Sequence, residues 1–241
     1  MSEAIDTLGS ESRHTTVRRI FVATAACTAA TVIIALAWPR LVAGVIEAPV
    51  EDAVASLSGP APVPDDMVRR ALAIKEQVAA VHPTAKTWAD IGLMRLREAM
   101  QLGPSTSGGR AALEASFIAH RQALSLDPGG AYAWTRLAQT LLARDGISAD
   151  DLGAVLSVAV AASPYDSRLV IARVDIALAA WDHLSDPVRA LMDKQIHIAA
   201  DQSPTALAAA ARNRFALAKV LDLLESDPIL LKRFAYAYGR L

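Results

Sequence analysis

Few ionisable residues in this chain have the spacing that metal binding requires. The chain has five histidines: His14, His82, His120, His183 and His197. None belongs to an HExxH motif or a His-x-x-x-His pair. Asp193 and His197 are four residues apart, a spacing typical of a hydrogen-bonded pair on a helix surface, with a metal site as the alternative. The sequence therefore predicts no metal ligand.

The other candidates for chemistry also have structural explanations. The glycine-rich stretch 103–109 lacks the Lys-Ser/Thr that follows a phosphate-binding loop, which favours a flexible loop. No GxSxG or Rossmann fingerprint occurs in the chain. The pairs Asp65-Asp66 and Asp150-Asp151 stand at predicted helix starts, where carboxylates stabilise the helix dipole. We therefore predict no enzyme activity and no cofactor.

Composition indicates packed helices and excludes one class of partner. The chain has 241 residues, a formal net charge of -1, 53% hydrophobic residues and only 5% aromatic residues. Small side chains must therefore fill much of the core, which suits close-packed helices better than a sheet. Without an overall basic charge, we do not expect nucleic acid as a partner.

One segment near the N-terminus is apolar enough to cross a membrane. Residues 20–38, from Ile20 to Trp38, contain no charged side chain. About 20 such residues in a helix span a hydrocarbon core of about 30 Å. Trp38 then lies at the boundary, where an amphipathic ring is favoured. We predict a transmembrane helix here; a buried core helix is the alternative.

Charge around this segment predicts its orientation. Arg13, Arg18 and Arg19 precede it, whereas Arg40 is the only Lys or Arg between it and Arg69. The positive-inside rule makes residues 1–19 a cytoplasmic tail and sends the remainder across the membrane. The alternative is a signal peptide cleaved after Ala35-Leu36-Ala37. Both interpretations send the bulk of the chain to the same compartment.

Residues 39–64 predict a linker and residues 65–241 a helical domain. Four prolines in 48–64 remove backbone donors and favour a semi-extended spacer. Recurrent Ser-Pro and Asp-Pro pairs and helical spacing of apolar residues then predict nine helices. Their expected ranges are 65–82, 84–102, 109–126, 130–144, 149–162, 166–182, 187–201, 204–224 and 228–238.

A repeated pattern of large, apolar and small residues occurs in this domain. Trp88 is followed by Ile91 and Gly92, and Trp134 by Leu137 and Ala138, at the same offsets. An alanine also lies five residues before a proline in each of three places: Ala123 before Pro128, Ala159 before Pro164 and Ala199 before Pro204.

This pattern resembles the tetratricopeptide repeat (TPR), most closely over residues 83–164. The resemblance implies an α-solenoid of antiparallel helix pairs, with Trp88, Gly92, Trp134 and Ala138 as packing residues and 204–241 as a C-terminal cap. The spacings depart from the family: Pro83 and Pro128 are 45 residues apart, against a usual repeat of about 34. We expect a long loop at 102–109 to account for the excess.

The resemblance also implies a binding groove on the first helix of each pair. The expected exposed residues are Lys86, Arg97, Tyr132, Thr135, Gln139, Arg168 and Asp175. The alternative is that these side chains form an ordinary solvated face. TPR domains that hold a C-terminal carboxylate use Lys and Asn on this face. Here Ala89 and Leu93 stand at two of those positions, so that mode of binding is not expected.

The C-terminal helix carries three aromatic residues, Phe234, Tyr236 and Tyr238. They predict either a docking helix or a cap that buries its rings. Together these features predict a non-enzymatic scaffold of the bacterial cell envelope, anchored in the inner membrane, with a periplasmic TPR-like domain that binds partner proteins. The alternative is a stoichiometric structural subunit of a large inner-membrane complex, such as polysaccharide secretion or cytochrome maturation machinery.

Overall fold

The chain is helical throughout the part that the structure describes. This computed structural model describes residues 3–52, 54, 64–144 and 149–241, with side chains from residue 24 onward except that of residue 149. The helices are α1 Glu3–Glu47, α2 Asp65–Val81, α3 Ala85–Leu102, α4 Ser107–Leu126, α5 Ala131–Ala143, α6 Ala149–Ala162, α7 Ser167–Ala180, α8 Asp186–Gln202, α9 Pro204–Asn213, α10 Leu217–Leu223 and α11 Pro228–Tyr238. Short 3₁₀ turns follow α1 at Ala48–Val50 and α7 at Trp181–His183.

The prediction of an all-α chain is confirmed for these ranges, which contain no strand. Local capping explains several helix starts. The hydroxyls of Thr84 and Thr106 accept hydrogen bonds from the backbone N–H groups of Thr87 and Gly109. The carboxylate of Asp227 accepts from two backbone N–H groups at the start of α11. Because these signals are local, the predicted helix ends lie within about two residues of the observed ones, except in the helix predicted at 204–224.

Two predicted segments differ from the structure. The helix expected at 204–224 breaks between α9 and α10, where Phe215 has a positive φ of 53° and is 97% exposed. The expected long loop at 102–109 is a tight turn, because α4 begins at Ser107. A side chain at Gly109 would lie 1.9 Å from the carbonyl oxygen of Gly103, so this glycine permits the close turn.

Successive helices pack in pairs, and the first helices of neighbouring pairs are also in contact. The pairs are α3 with α4, α5 with α6 and α7 with α8. In addition, α5 contacts α3 and α7, and α7 contacts α9. Trp88 and Trp134 pack against the buried cores, and Ala138 is fully buried. The hydroxyl of Ser116 on α4 donates to the carbonyl of Gly92 on α3 and bonds Thr140 on α5.

The apolar segment forms the exposed part of α1. Within the described residues, only Thr24–Val50 is long and apolar enough to cross a membrane, and it is mostly unburied in the fold. The expected linker at 39–64 differs from the structure in its first part, since α1 continues to Glu47 and a 3₁₀ turn follows. Apolar residues 41–46 extend the helix and pack one face against the domain. Residue 53 and residues 55–63 of the expected linker lie outside the described ranges.

Candidate protein-binding groove

A groove of about 600 Å³ runs across the first turns of α3, α5 and α7. Glu51 and Val54, which follow α1, form one of its walls, and the end of α4 contributes to the floor. The groove is lined by Glu51, Val54, Ala85, Lys86, Ala89, Asp90, Ala123, Asp127, Gly130, Tyr132, Ala133, Arg136, Asp166, Arg168 and Leu169.

The floor of the groove is apolar and made mostly of small side chains. Ala85, Ala89, Ala123 and Ala133 line it, together with Leu169. Alanine leaves space where a larger residue would fill the gap between neighbouring helices. The repeated alanines therefore create the depth of the groove, and their methyl groups offer an apolar surface to an extended segment or a helix.

Arg136 is the cation of the groove that lacks an acidic partner. Its guanidinium lies 5.0 Å from the centroid of the Tyr132 ring, one helical turn earlier on α5. Nη1 donates to Oε1 of Gln139 at 2.7 Å. Within the described residues, no carboxylate lies within 4 Å of Arg136, and the buried Nε of Arg136 and hydroxyl of Tyr132 have no hydrogen-bond partner. Arg136 lines the groove without an acidic partner, so its guanidinium can donate to an acceptor that enters the groove.

The other two cations of the groove are paired with acids of the chain. Lys86 Nζ lies 3.3 Å from Oδ2 of Asp90 and 3.9 Å from Oε1 of Glu51. Arg168 Nη2 lies 3.1 Å from Oδ2 of Asp166. The hydrogen bond from Arg168 lowers the pKa of the Asp166 carboxyl. Arg136 is therefore the group best placed to recognise an incoming carboxylate.

A buried lysine joins the groove to the end of α1. Lys75 on α2 has no exposed surface, and its ammonium binds Glu47 and, at 2.8 Å, Asp90. Burial opposes the charge on Lys75, but hydrogen bonds to Asp90 and Glu47 outweigh that effect and raise the pKa of its ammonium. The ion cluster thus connects α1, α2 and α3 beneath the groove wall.

The structure brings together three of the seven residues expected in a groove. Lys86, Tyr132 and Arg168 line it. Gln139 is half-buried and bonds Arg136. Arg97 does not line it; burial and the charge of Arg136 lower the pKa of its guanidinium, which places the two cations near each other.

Two predicted groove residues have other contacts. The expectation that Thr135 is exposed is wrong: it is fully buried, donates to the carbonyl of Ala131 and accepts from Nε of Arg173. Asp175 lies outside the groove lining and forms a two-bond ion pair with Arg214. Arg136 was not predicted, although its position one turn after Tyr132 is a signal that could have indicated it.

The C-terminal aromatic residues divide between core and surface. Phe234 is fully buried, so it cannot serve as an exposed docking anchor. Its ring centroid lies 5.9 Å from that of Tyr238, which is half-buried and lies under Arg212. Only Tyr236 projects into solvent. The cap thus uses two of the three rings for packing.

The described residues contain no grouping of three or more His, Cys, Asp or Glu side chains that could hold a metal ion. Asp193 and His197 form a half-exposed pair, with His197 Nδ1 3.3 Å from Oδ1 of Asp193, and neither lines the groove. Comparison with known protein families, curated proteins and solved structures found no significant match.

Proposed function

We propose that this chain is a non-enzymatic, membrane-anchored scaffold of the bacterial cell envelope that binds partner proteins in its groove. The observation that carries the proposal is the groove at the first turns of α3, α5 and α7. It combines an alanine floor with Arg136, a cation without a carboxylate partner in the described chain. This combination suits a protein segment with an apolar surface and an acidic group.

Contacts between alternate helices support a TPR-like solenoid as the scaffold. In such an array the first helix of each pair contacts the first helix of the next, as α3, α5 and α7 do here. Gly92 and Ala138 stand where α3 and α5 meet their neighbours, and the two tryptophans pack against the cores between pairs. The first helix of each pair therefore lines the groove.

The exposed, apolar α1 supports an anchor in the inner membrane. Every described side chain from Thr24 to Trp38 is exposed, which suits lipid contact. The arginines before this segment favour a cytoplasmic N-terminus and a periplasmic domain. A periplasm-dependent reporter fused after Leu241 should be active, whereas activity of a reporter that works only in the cytoplasm would refute this orientation.

Site-specific photocrosslinking tests whether the groove binds protein. A photoreactive amino acid at position 168, on the groove rim, should give one or a few discrete crosslinked products in native membranes. The same amino acid at position 121, an exposed position on α4 outside the groove, should not give them. The products should weaken when Arg136 is changed to Ala. Equal products from both positions would contradict binding in the groove.

A second candidate function is a fixed subunit of a larger membrane complex. The exposed Phe215 and Tyr236 at the cap favour it, because they give the chain a second surface away from the groove. A subunit should co-migrate with its neighbours at fixed stoichiometry after mild solubilisation. A scaffold should instead show a dispersed, substoichiometric profile.

A further inference from the structure

The last turns of α1 dock on the helical domain along one face. Pro39, Val42, Ala43 and Ile46 are buried or half-buried, whereas residues 40, 41, 44 and 45 are exposed. This spacing of three and four residues is that of a single helix face. The docked part of α1 packs on α2. Because the contact extends over several turns, the two helices cross at a small angle, and positions along them can be compared by helical rise.

Contacts at the end of α1 fix its direction relative to α2 and α3. Glu47 binds the buried Lys75 of α2. One turn later, Oε1 of Glu51 lies 3.9 Å from Nζ of Lys86, at the start of α3. Val54 then lines the groove with the first turn of α3, which follows the end of α2 by a short turn. The docked part of α1 therefore runs in the same direction as α2, and α3 runs back toward the apolar segment.

The start of α2 lies at the level of Trp38, the last residue of the apolar segment. Trp38 precedes Glu47 by nine residues, or about 14 Å of helix at about 1.5 Å per residue. Asp66 precedes Lys75, the partner of Glu47, by the same nine residues. Because α1 and α2 run in the same direction, the first turn of α2 lies beside the point where α1 leaves the apolar segment.

The end of α3 lies at this level too. Asp90 binds Lys75 at 2.8 Å, and Met100 follows Asp90 by ten residues, or about 15 Å of helix back along α1. Gln101 also donates to the carboxylate of Asp65 at 2.6 Å, which joins the end of α3 to the start of α2. The tight turn into α4 follows directly. These parts, residues 65–70 and 98–110, form the basal surface of the domain.

The exposed side chains of the basal surface suit a layer of lipid headgroups. Three are large, apolar and 42–50% exposed: Met67, Met100 and Leu102. Three are basic and exposed, and a fourth arginine lies beside them on α1: Arg69, Arg70, Arg110 and Arg40. None of the four arginines forms an ion pair among the described side chains. Arginine binds phosphate through two parallel hydrogen bonds, and apolar side chains enter the boundary between headgroups and acyl chains.

The acidic residues of the basal surface leave it basic overall. Asp65 accepts the hydrogen bond from Gln101, and Glu98 pairs with Arg95 at 2.8 Å. Asp66 is the remaining carboxylate of this surface. The four arginines therefore outnumber the acids that could neutralise them, and the surface complements the negative charge of lipid phosphates.

We infer that the basal surface lies on the bilayer, where its arginines bind the phosphate groups of lipid headgroups, and that the groove opens away from the membrane. This inference rests on the anchor of the proposed function. Continuity with the anchor carries the choice of a lipid surface, because the basal surface lies beside the residue at which the apolar segment ends. Lys86 at the groove precedes Leu102 by sixteen residues, which separates the groove from the bilayer by about 24 Å of helix. A partner protein therefore enters the groove from the aqueous side.

Fluorescence quenching in liposomes tests the position of the basal surface. The full-length protein, with Cys27→Ala, carries a fluorophore on Met100→Cys or on Val81→Cys, which are 46% and 45% exposed at opposite ends of the α2–α3 hairpin. Leu102→Cys and Leu126→Cys, at 50% and 47%, form a second pair across α3 and α4. Lipids with a nitroxide in the headgroup should quench the basal probe of each pair at least about twofold more, because the headgroup layer is only about 5–7 Å thick.

An alkaline wash distinguishes failure of the anchor from failure of this inference. Release of the protein from the liposomes by the wash would refute the anchor, and the inference with it. If the protein is retained and the two probes of each pair are quenched equally, or the probes at positions 81 and 126 more strongly, the basal surface does not lie on the bilayer. That outcome would refute the inference alone.

Charge substitutions test the contact with phosphate. Arg69→Gln combined with Arg70→Gln removes two positive charges from the basal surface. In vesicles of phosphatidylcholine and phosphatidylglycerol, it should lower the quenching at position 100 by at least about a third, because basic side chains strengthen contact with an anionic surface. Arg121→Glu changes the charge by the same amount on α4, about 16 Å of helix beyond Arg110, and should leave the quenching unchanged. Equal quenching of the double variant and the unaltered protein would refute binding of phosphate by these arginines.

Discussion

At the scale of single residues, the ring of His120 packs directly against Gly92. A methyl group at Gly92 would lie 2.4 Å from Cε1 of His120, so the imidazole ring occupies the space that glycine leaves. His120 is fully buried, and neither ring nitrogen has a partner among the described residues. The ring therefore acts as a packing group between α3 and α4.

Gly92→Ala should lower the free energy of unfolding by about 1–2 kcal/mol, because overpacking outweighs the better helix propensity of alanine. The sign should reverse in a His120→Ala background, where the added methyl group meets no ring. Gly108→Ala, whose nearest neighbour would be 3.4 Å away, is the control. Chemical denaturation of the unaltered protein, the two single variants, the double variant and the control measures the effect. Destabilisation of equal size in both backgrounds would contradict the fit.

Burial also makes His120 a source of pH-dependent stability. Burial and the charge of Arg136 lower the pKa of His120 to about 3. The unfolded chain binds this proton near pH 6.5, so the folded state is destabilised as pH falls from about 6.5 toward 3, by up to about 1.4 kcal/mol per pH unit. His120→Leu should flatten the profile measured by denaturation between pH 7 and pH 4. Parallel profiles would show that His120 is not a neutral, buried ring in the fold.

The sequence indicated one member of this fit and not the other. The offset of Gly92 from Trp88 predicted a small residue at a close helix approach, because that pattern is local. His120 lies 28 positions further on, and its contact depends on how α4 packs against α3. Thr135 was missed for the same reason, since its buried partner Arg173 is 38 residues away.

At the scale of helices, Arg173 connects neighbouring pairs. Its guanidinium is fully buried and bonds Thr135 of α5 and the carbonyl of Ser163 at 2.7 Å. Gln195 of α8 bonds the adjacent carbonyl of Pro164 at 2.9 Å. The Arg173 side chain thus donates to a backbone carbonyl in the turn before α7 and holds α7 against α5.

Arg173→Ala should therefore reduce the free energy of unfolding by about 3–5 kcal/mol, because it leaves polar groups unpaired and a cavity in the core. Arg168→Ala on the same helix should leave the free energy of unfolding nearly unchanged, since that side chain is 87% exposed. Denaturation of both variants, with hydrogen exchange across α7 and α8, measures the difference. Similar losses for the two would mean that Arg173 does not join the pairs.

Helix positions were predictable because their capping residues and prolines act within one or two turns. The end of α1 could not be predicted in this way. Prolines in 48–64 indicated a spacer, but residues 39–50 are ordered by a face that packs on α2 and by the Glu47–Lys75 pair, 28 residues apart. Such contacts have no local signature. The groove was also predictable only in part. Three of its lining residues were predicted, but Arg136 and Glu51 were not, because their positions depend on how the helices pack together.

At the scale of the whole molecule, the exposed apolar α1 leads into the helical array that carries the groove. We propose that this groove holds a partner protein. Two arginines that each lie over an aromatic ring allow a matched test: Arg136 stacks on Tyr132 in the groove, and Arg121 lies 5.7 Å from the Phe117 ring centroid outside it.

The most direct measurement is the size of the full-length protein after mild solubilisation of native membranes, with quantification of the proteins that migrate with it. Unaltered protein and Arg121→Ala should both migrate with at least one partner protein. Tyr132→Ala combined with Arg136→Ala should migrate alone while keeping its helical circular dichroism. If this double variant stays in the complex to the same extent as unaltered protein, the groove is not the binding site.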